Sequence, residues 1–192
     1  AADTSVITDM KTDCVVDAAG SCQITQTVTI DIAGTEDTIE LPLASGAKRI
    51  SVAGYKYKKT TQDGYTVLVL SSNGGFAGSR TFTISYTVSG LVSEQDNVQT
   101  LTLPLLAPKW NWAINNYDFT ITLPAAFEGY PTFTSGYYGD VIEDYMNFTV
   151  REGMIGGTIS TALKDHESLT MTLDVGEGYF AGRYASWSSG WV

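Results

Sequence analysis

Three acidic residues in a glycine- and tyrosine-rich stretch are the first candidates for chemistry. Asp140, Glu143 and Asp144 lie close together in the chain. Paired carboxylates hydrolyse glycosides when they face each other across a cleft and burial raises the pKa of one of them. Clustered carboxylate oxygens also bind calcium, so the three residues form a candidate calcium site, although the chain has no Asp-x-Asp-x-Asp-Gly loop. Their position in a loop favours turn formation and solubility over catalysis.

The single histidine, His166, lies between Asp165 and Glu167 ahead of an apolar segment. A serine or cysteine hydrolase would need such a histidine beside an activated nucleophile. No Gly-x-Ser-x-Gly motif occurs, and one histidine without further soft ligands does not hold zinc. The sequence therefore predicts a surface turn here, and it predicts no catalytic residue and no cofactor for the chain as a whole.

Aromatic residues interleaved with glycines form the one constellation that looks exposed. Flat rings on β loops can stack on sugar faces, and exposed apolar patches usually mark binding sites. The alternative is that some of these rings close a hydrophobic core or pack between domains, and the sequence favours that alternative. The candidate binding residues are Tyr130, Phe133, Tyr137, Tyr138 and Tyr145.

Two cysteines, Cys14 and Cys22, flank a short turn-forming segment between β-prone residues. A hairpin centred on Ala18 would place the two directly opposite each other, at a separation that suits a disulfide. Closing so short a loop would add about 2–3 kcal/mol in the chain-entropy model. A bridge would indicate that the protein works outside the cytoplasm; two unrelated buried thiols are the alternative.

Strand patterns dominate the chain, and helical periodicity is nearly absent. Gln23–Ile32 alternates apolar and polar residues, which is typical of a strand with one buried face. Tyr65–Leu70 is a continuous apolar run, which predicts a central strand covered on both faces. The glycine-rich Gly74–Ser79 lacks the lysine and following helix of a phosphate loop, so it is predicted to be a hairpin turn.

Self-similarity at a nearly fixed offset predicts the domain organisation. Leu41-Pro42 recurs as Leu123-Pro124, 82 residues later, and flanking β segments match at similar offsets. Such repetition predicts two related units in tandem. We therefore expect an all-β protein of two immunoglobulin-like β-sandwich units with antiparallel sheets, spanning residues 1–95 and 96–180, with a C-terminal linker at 181–192.

The net charge and the hydropathy of the chain limit the classes of partner that it can bind. Acidic residues exceed basic ones by ten, which disfavours nucleic acid and anionic membrane surfaces as partners. No apolar run approaches the roughly 20 residues needed to span a bilayer. The small residues at the start and the Ser- and Trp-rich end suggest a trimmed chain, and we expect any membrane contact to come through segments outside it.

The order of several weak motifs resembles a bacterial family of predicted membrane proteins known as domain of unknown function 2207. The motifs follow the early Leu41-Pro42 and run from Ile84-Ser85-Tyr86-Thr87-Val88-Ser89-Gly90 through Trp110-Asn111-Trp112 and Phe119-Thr120-Ile121-Thr122-Leu123-Pro124 to Leu169-Thr170-Met171-Thr172-Leu173. The resemblance spans roughly Ile24 to Phe180. It implies an extracytoplasmic β domain followed by transmembrane helices, and it supplies no catalytic residues.

These observations together predict a protein that is not an enzyme. The expected role is recognition or scaffolding on the outer side of a bacterial membrane, with an unknown protein or glycan of the cell surface as partner. A carbohydrate-binding module that uses the tyrosine-rich loop, and a pilin- or adhesin-type surface subunit, are the alternatives. The anchor would be a transmembrane segment absent from this chain.

Overall fold

A computed structural model describes residues 4–135, 140–141 and 145–182, and these residues form thirteen β-strands. None of them forms a helix long and apolar enough to cross a membrane. The strands are β1 (Val6–Val16), β2 (Cys22–Pro42), β3 (Lys48–Val52), β4 (Tyr57–Gln62), β5 (Tyr65–Val88), β6 (Val92–Gln95), β7 (Val98–Leu106), β8 (Tyr117–Thr122), β9 (Thr132–Ser135), β10 (Asp140–Val141), β11 (Met146–Arg151), β12 (Met154–Ile159) and β13 (Leu169–Gly176).

The strands form two sheets. Sheet A has the order β11-β12-β8-β1-β2-β5-β3, with β4 paired to β5 beside that path. Sheet B has the order β10-β9-β13-β7-β6. Most neighbours are antiparallel, but β1 and β8 run parallel in register from Met10 opposite Tyr117 to Val15 opposite Thr122. The expectation of an all-β protein is confirmed, and sheet A is mixed rather than purely antiparallel.

Alternating side chains explain why sheet A has one buried face. In β2, Ile24, Val28 and Ile30 are fully buried while Thr27 between them is exposed. Successive side chains of a strand point to opposite faces, so the alternation in the sequence becomes an apolar inner face and a threonine-rich outer face. We call the solvent-facing side of sheet A its outer face.

Side chains from both sheets meet in one hydrophobic cluster. The ring of Phe119 on β8 lies 5.3 Å, centroid to centroid, from that of Phe133 on β9. A buried polar contact also crosses between the sheets, because the Tyr117 hydroxyl donates to the Leu105 carbonyl oxygen at 3.1 Å. Gln26 donates to the same carbonyl oxygen from β2, at 3.3 Å.

The division into two tandem immunoglobulin-like units is not confirmed. Strands from both halves of the sequence share one continuous sheet A, in which β1 pairs with β2 on one side and with β8 on the other. The expected boundary between residues 95 and 96 falls in the tight turn that joins the paired strands β6 and β7. Alternating threonine and apolar residues recur in any strand with one exposed face, so the self-similarity reflects strand chemistry as readily as duplication.

The glycine-rich segment Gly74–Ser79 is not the predicted hairpin turn. It continues β5 and pairs with β2, where Phe76 lies opposite Glu36 and is fully buried. A β-carbon on Gly75 would lie 2.8 Å from the Glu36 carbonyl oxygen, and Gly75 has a φ of +76°. The glycines therefore let two long strands bend while staying paired. The expected burial of Tyr65–Leu70 is confirmed at Val67, Leu68 and Leu70.

Candidate functional site

A shallow groove on the outer face of sheet A is the best candidate for a ligand site. It encloses about 640 Å³ and crosses strands β1, β8, β12 and β11. Its floor lies where β12 carries two consecutive glycines, Gly156 and Gly157. Glycine in a strand interior weakens the strand, and it often marks a place where a ligand or another backbone approaches closely.

The two glycines have different roles. Gly157 lies opposite Phe119 on β8 and Phe148 on β11. A β-carbon on Gly157 would lie 2.6 Å from Phe119 Cζ and 3.0 Å from Phe148 Cβ, so this glycine makes room for the core rings. A β-carbon on Gly156 would meet nothing closer than 3.9 Å. No packing contact explains the missing side chain at 156, and its absence opens the groove.

Polar side chains surround this opening. Thr158 and Asp118 are cross-strand partners, and the Thr158 hydroxyl donates to Asp118 Oδ1 at 2.6 Å. Lys11 lies in register with Asp118 on the neighbouring strand β1. The groove is completed by the exposed side chains of Asn147 and Thr149 on β11. It thus offers hydroxyl, amide, carboxylate and ammonium groups within one concave area.

Adjacent carboxylates on this face are held by hydroxyls. The Thr120 hydroxyl donates to the Asp13 carboxylate, and the Lys11 ammonium lies 3.9 Å from Asp13 Oδ1. Each of these groups remains at least partly exposed, so the ion pair contributes little to stability. The arrangement orients hydrogen-bond donors and acceptors toward solvent. A polar ligand can replace the water bound to these groups at a small cost in free energy.

The aromatic residues predicted to bind a ligand differ in their exposure to solvent. Phe133 is 0% exposed and packs 5.1 Å from Phe148 and 5.3 Å from Phe119, so its ring belongs to the core, as the packing alternative proposed. Tyr130 is 74% exposed, with its ring 5.5 Å from Phe148. Tyr145 is 55% exposed at the start of β11. Neither Tyr130 nor Tyr145 belongs to the lining of the groove.

The remaining acidic and aromatic candidates cannot be placed. Tyr137, Tyr138, Glu143 and Asp144 lie outside the described residues, as does the side chain of Asp140. Among the residues that the structure describes, no three His, Cys, Asp or Glu side chains come together in a way that could hold a metal. The calcium site stays a prediction.

His166 occupies a turn, as the sequence predicted. Its Nδ1 lies 2.8 Å from Asp165 Oδ2, and its backbone amide donates to the Trp110 carbonyl oxygen at 2.9 Å. The residue has a φ of +61°, a conformation that favours tight turns. The histidine therefore serves the local chain reversal before β13.

The cysteine pair differs from the predicted register by two residues. Cys22 lies opposite Val16, and Cys14 lies opposite Ile24, so the two are diagonal rather than direct neighbours on the inner face. Both are buried free thiols, and the disulfide is not confirmed. A hydrogen bond with Cys22, together with burial, raises the pKa of Cys14 well above its usual value. The protonated thiol is a weak nucleophile, so we expect Cys14 to react slowly in the folded state.

Sequence reasoning missed the groove because none of its polar residues forms a motif along the chain. Lys11, Asp118 and Asn147 come from three strands that meet only after the parallel pairing of β1 with β8. One signal was available, since Gly156-Gly157 interrupts an otherwise ordinary strand pattern.

Solved structures with similar folds include a hydrolase and a putative protease. The chain aligns with native yeast LTA4 hydrolase at a TM-score of 0.55 and 8% identity, over 88% of this chain and 29% of that one. It aligns with a putative protease from Parabacteroides distasonis at a TM-score of 0.54 and 8% identity, over 90% of this chain and 41% of that one. At such identities the likeness concerns the fold alone, and this chain spans less than half the length of either protein.

The sequence comparisons give a family but no characterised relative. No curated protein matches the chain. The model of one family matches residues 6–175, which include all of the outer-face groove and nearly all strands of both sheets. This chain therefore belongs to the family described as the predicted membrane protein (DUF2207) N-terminal domain.

Proposed function

We propose that the chain is a non-catalytic recognition module on the extracytoplasmic side of a membrane-tethered bacterial envelope protein. The groove above Gly156 is its ligand site. The single observation that carries the proposal is the glycine floor, because no packing contact demands it and polar groups from four strands surround it. The family description, an N-terminal domain of a predicted membrane protein, supports a role beside a membrane.

The groups that line the groove suit a polyhydroxylated ligand such as a glycan. Hydroxyls and an amide can both donate and accept hydrogen bonds, and the carboxylate of Asp118 accepts from sugar hydroxyls. The groove is shallow and open, which suits an extended chain passing over the sheet. Tyr130 and Tyr145 are exposed rings outside the lining of the groove, and they stay candidates for stacking on sugar faces, as the carbohydrate-binding alternative requires.

The two similar solved structures also indicate how this fold is used within a longer chain. In both matched proteins this fold makes up a minority of the chain. We infer that this β module likewise works as one part of a longer protein, and that chemistry, where there is any, belongs to other parts.

Binding is tested by measuring thermal stability with a panel of soluble cell-wall fragments and neutral polysaccharides. A ligand that binds only the folded state raises the apparent melting temperature. The variant Gly156→Tyr fills the groove without touching the core, and Thr83→Tyr, on the same outer face but on β5, is the matched control. We expect at least one glycan to raise the melting temperature of the wild type and of Thr83→Tyr. The same glycan should leave the melting temperature of Gly156→Tyr unchanged.

Two results would contradict the proposal in different ways. Equal stabilisation of all three proteins would place the ligand elsewhere, with Tyr130 and Tyr145 as the next residues to test. If no glycan of the panel raises the melting temperature of the wild type, the proposed glycan specificity is refuted.

A further inference from the structure

The basic residues of this acidic protein are concentrated in one segment. Residues 48–59 contain five of the eleven lysines and arginines and none of the 21 acids. The rest of the chain has six bases and 21 acids. The segment therefore carries a net charge of +5, and the rest of the chain carries −15. The five residues are Lys48, Arg49, Lys56, Lys58 and Lys59, and we call them the basic surface.

The fold holds this segment on two edge strands. β3 and β4 both pair with β5, and β3 forms the margin of sheet A. The Tyr57 hydroxyl donates to the Ile50 carbonyl oxygen at 3.0 Å, which ties the two strands together. Half-buried Tyr55 packs against Phe76 and Phe82 with ring centroids 5.9 and 5.2 Å apart. The charges therefore project from a fixed scaffold.

All five cations are exposed, and none pairs with an acid among the described residues, whose ion pairs involve only Lys11, Lys109 and His166. Two acids close to the segment along the chain or across the sheet have other partners. Asp63, in the turn after β4, lies 2.6 Å from the Lys109 ammonium. Glu40, two strands from Lys58, accepts a hydrogen bond from Asn111 at 3.0 Å.

We infer that the basic surface docks the domain against an anionic phospholipid membrane. Cationic side chains gain attraction near such a surface and lose it within a Debye length. The strongly acidic remainder of the domain is repelled by the same surface, so only one orientation is favourable. The family description, the N-terminal domain of a predicted membrane protein, supports a position close to a membrane. The net charge of the whole chain disfavours an anionic membrane as a partner. That argument does not hold for a surface on which the basic residues are concentrated.

The test is co-sedimentation of the chain with vesicles that contain phosphatidylglycerol, and with phosphatidylcholine vesicles as reference. We expect binding at low salt to phosphatidylglycerol vesicles only, and its loss at high salt. Removing a lysine should weaken binding about fivefold, so Lys58→Gln with Lys59→Gln should weaken it about 30-fold. The matched control, Arg151→Gln with Lys164→Gln, changes the net charge equally on exposed positions outside the basic surface, and it should bind as the wild type does.

Three outcomes would overturn the inference. The wild type could fail to bind phosphatidylglycerol vesicles at low salt. The control pair could lose as much affinity as the Lys58 and Lys59 pair, which would mean that net charge alone decides. The chain could bind soluble polyphosphate while ignoring vesicles, which would point to a soluble polyanion instead. Circular dichroism melts of each variant verify that the proteins compared are folded.

Discussion

The adjacent glycines of β12 give opposite predictions for the same small change. Alanine at 157 would place a β-carbon 2.6 and 2.7 Å from Phe119 Cζ and Cε1 and 3.0 Å from Phe148 Cβ. The Phe119 ring cannot swing away freely, because it is 1% exposed and packs against Phe133. Overpacking of this kind costs about 1–3 kcal/mol of folding free energy.

Alanine at 156 should have no such cost. Its β-carbon would meet only the Phe119 carbonyl oxygen at 3.9 Å and Thr120 Cγ2 at 4.0 Å, which are ordinary contacts. Replacing glycine inside a strand also removes an entropic penalty, so we expect Gly156→Ala to be neutral or to stabilise by up to about 1 kcal/mol. The difference between the two variants is thus about 1–4 kcal/mol, by the same magnitudes.

Urea unfolding measures this difference. The buried Trp110 offers a fluorescence signal for the transition, and circular dichroism supplies an independent probe. We expect the midpoints to separate with unchanged denaturant slopes, which indicates a change in stability alone. Equal midpoints for the two variants, or a less stable Gly156→Ala, would refute the assignment of the groove floor.

Three further predictions concern the core. Burial raises the pKa values of Tyr86 and Tyr117. The contribution of each tyrosine to stability should therefore be constant below about pH 10 and fall above it by about 1.4 kcal/mol per pH unit, as urea unfolding at several alkaline pH values would show. Phe133→Ala should lower stability by about 3–5 kcal/mol in the same assay, whereas a ligand-binding ring would cost far less. Cys14 and Cys22 should resist alkylation in the folded protein at mildly alkaline pH and react in denaturant; an intact mass two hydrogens short would instead reveal the bridge.

Local patterns in the sequence predicted the strands well, because alternation is a property of neighbouring residues. The buried face of Ile24, Val28 and Ile30 follows directly from it. The predicted partner of Cys14 was wrong by two residues. The turn keeps residues 17–21 outside the ladder, which centres it on Ala19, whereas the midpoint argument assumed Ala18.

Long-range pairing is what local patterns could not supply. The parallel contact of β1 with β8 joins residues about a hundred positions apart, and it creates both sheet A and the groove. The same limit applies to charge, since a count over the whole chain concealed the segregation of residues 48–59. The pattern at Gly74–Ser79 was ambiguous for a related reason, because glycines permit a bend in a long paired strand as readily as a turn.

The most direct test of the recognition site is amide chemical-shift mapping during titration with the soluble oligosaccharides of the stabilisation panel. We predict that shifts concentrate at Gly156, Thr158, Asn147 and Asp118, and that Gly156→Tyr abolishes them. Shifts confined to Tyr130 and Tyr145, or no shift with any oligosaccharide, would contradict the groove as the ligand site.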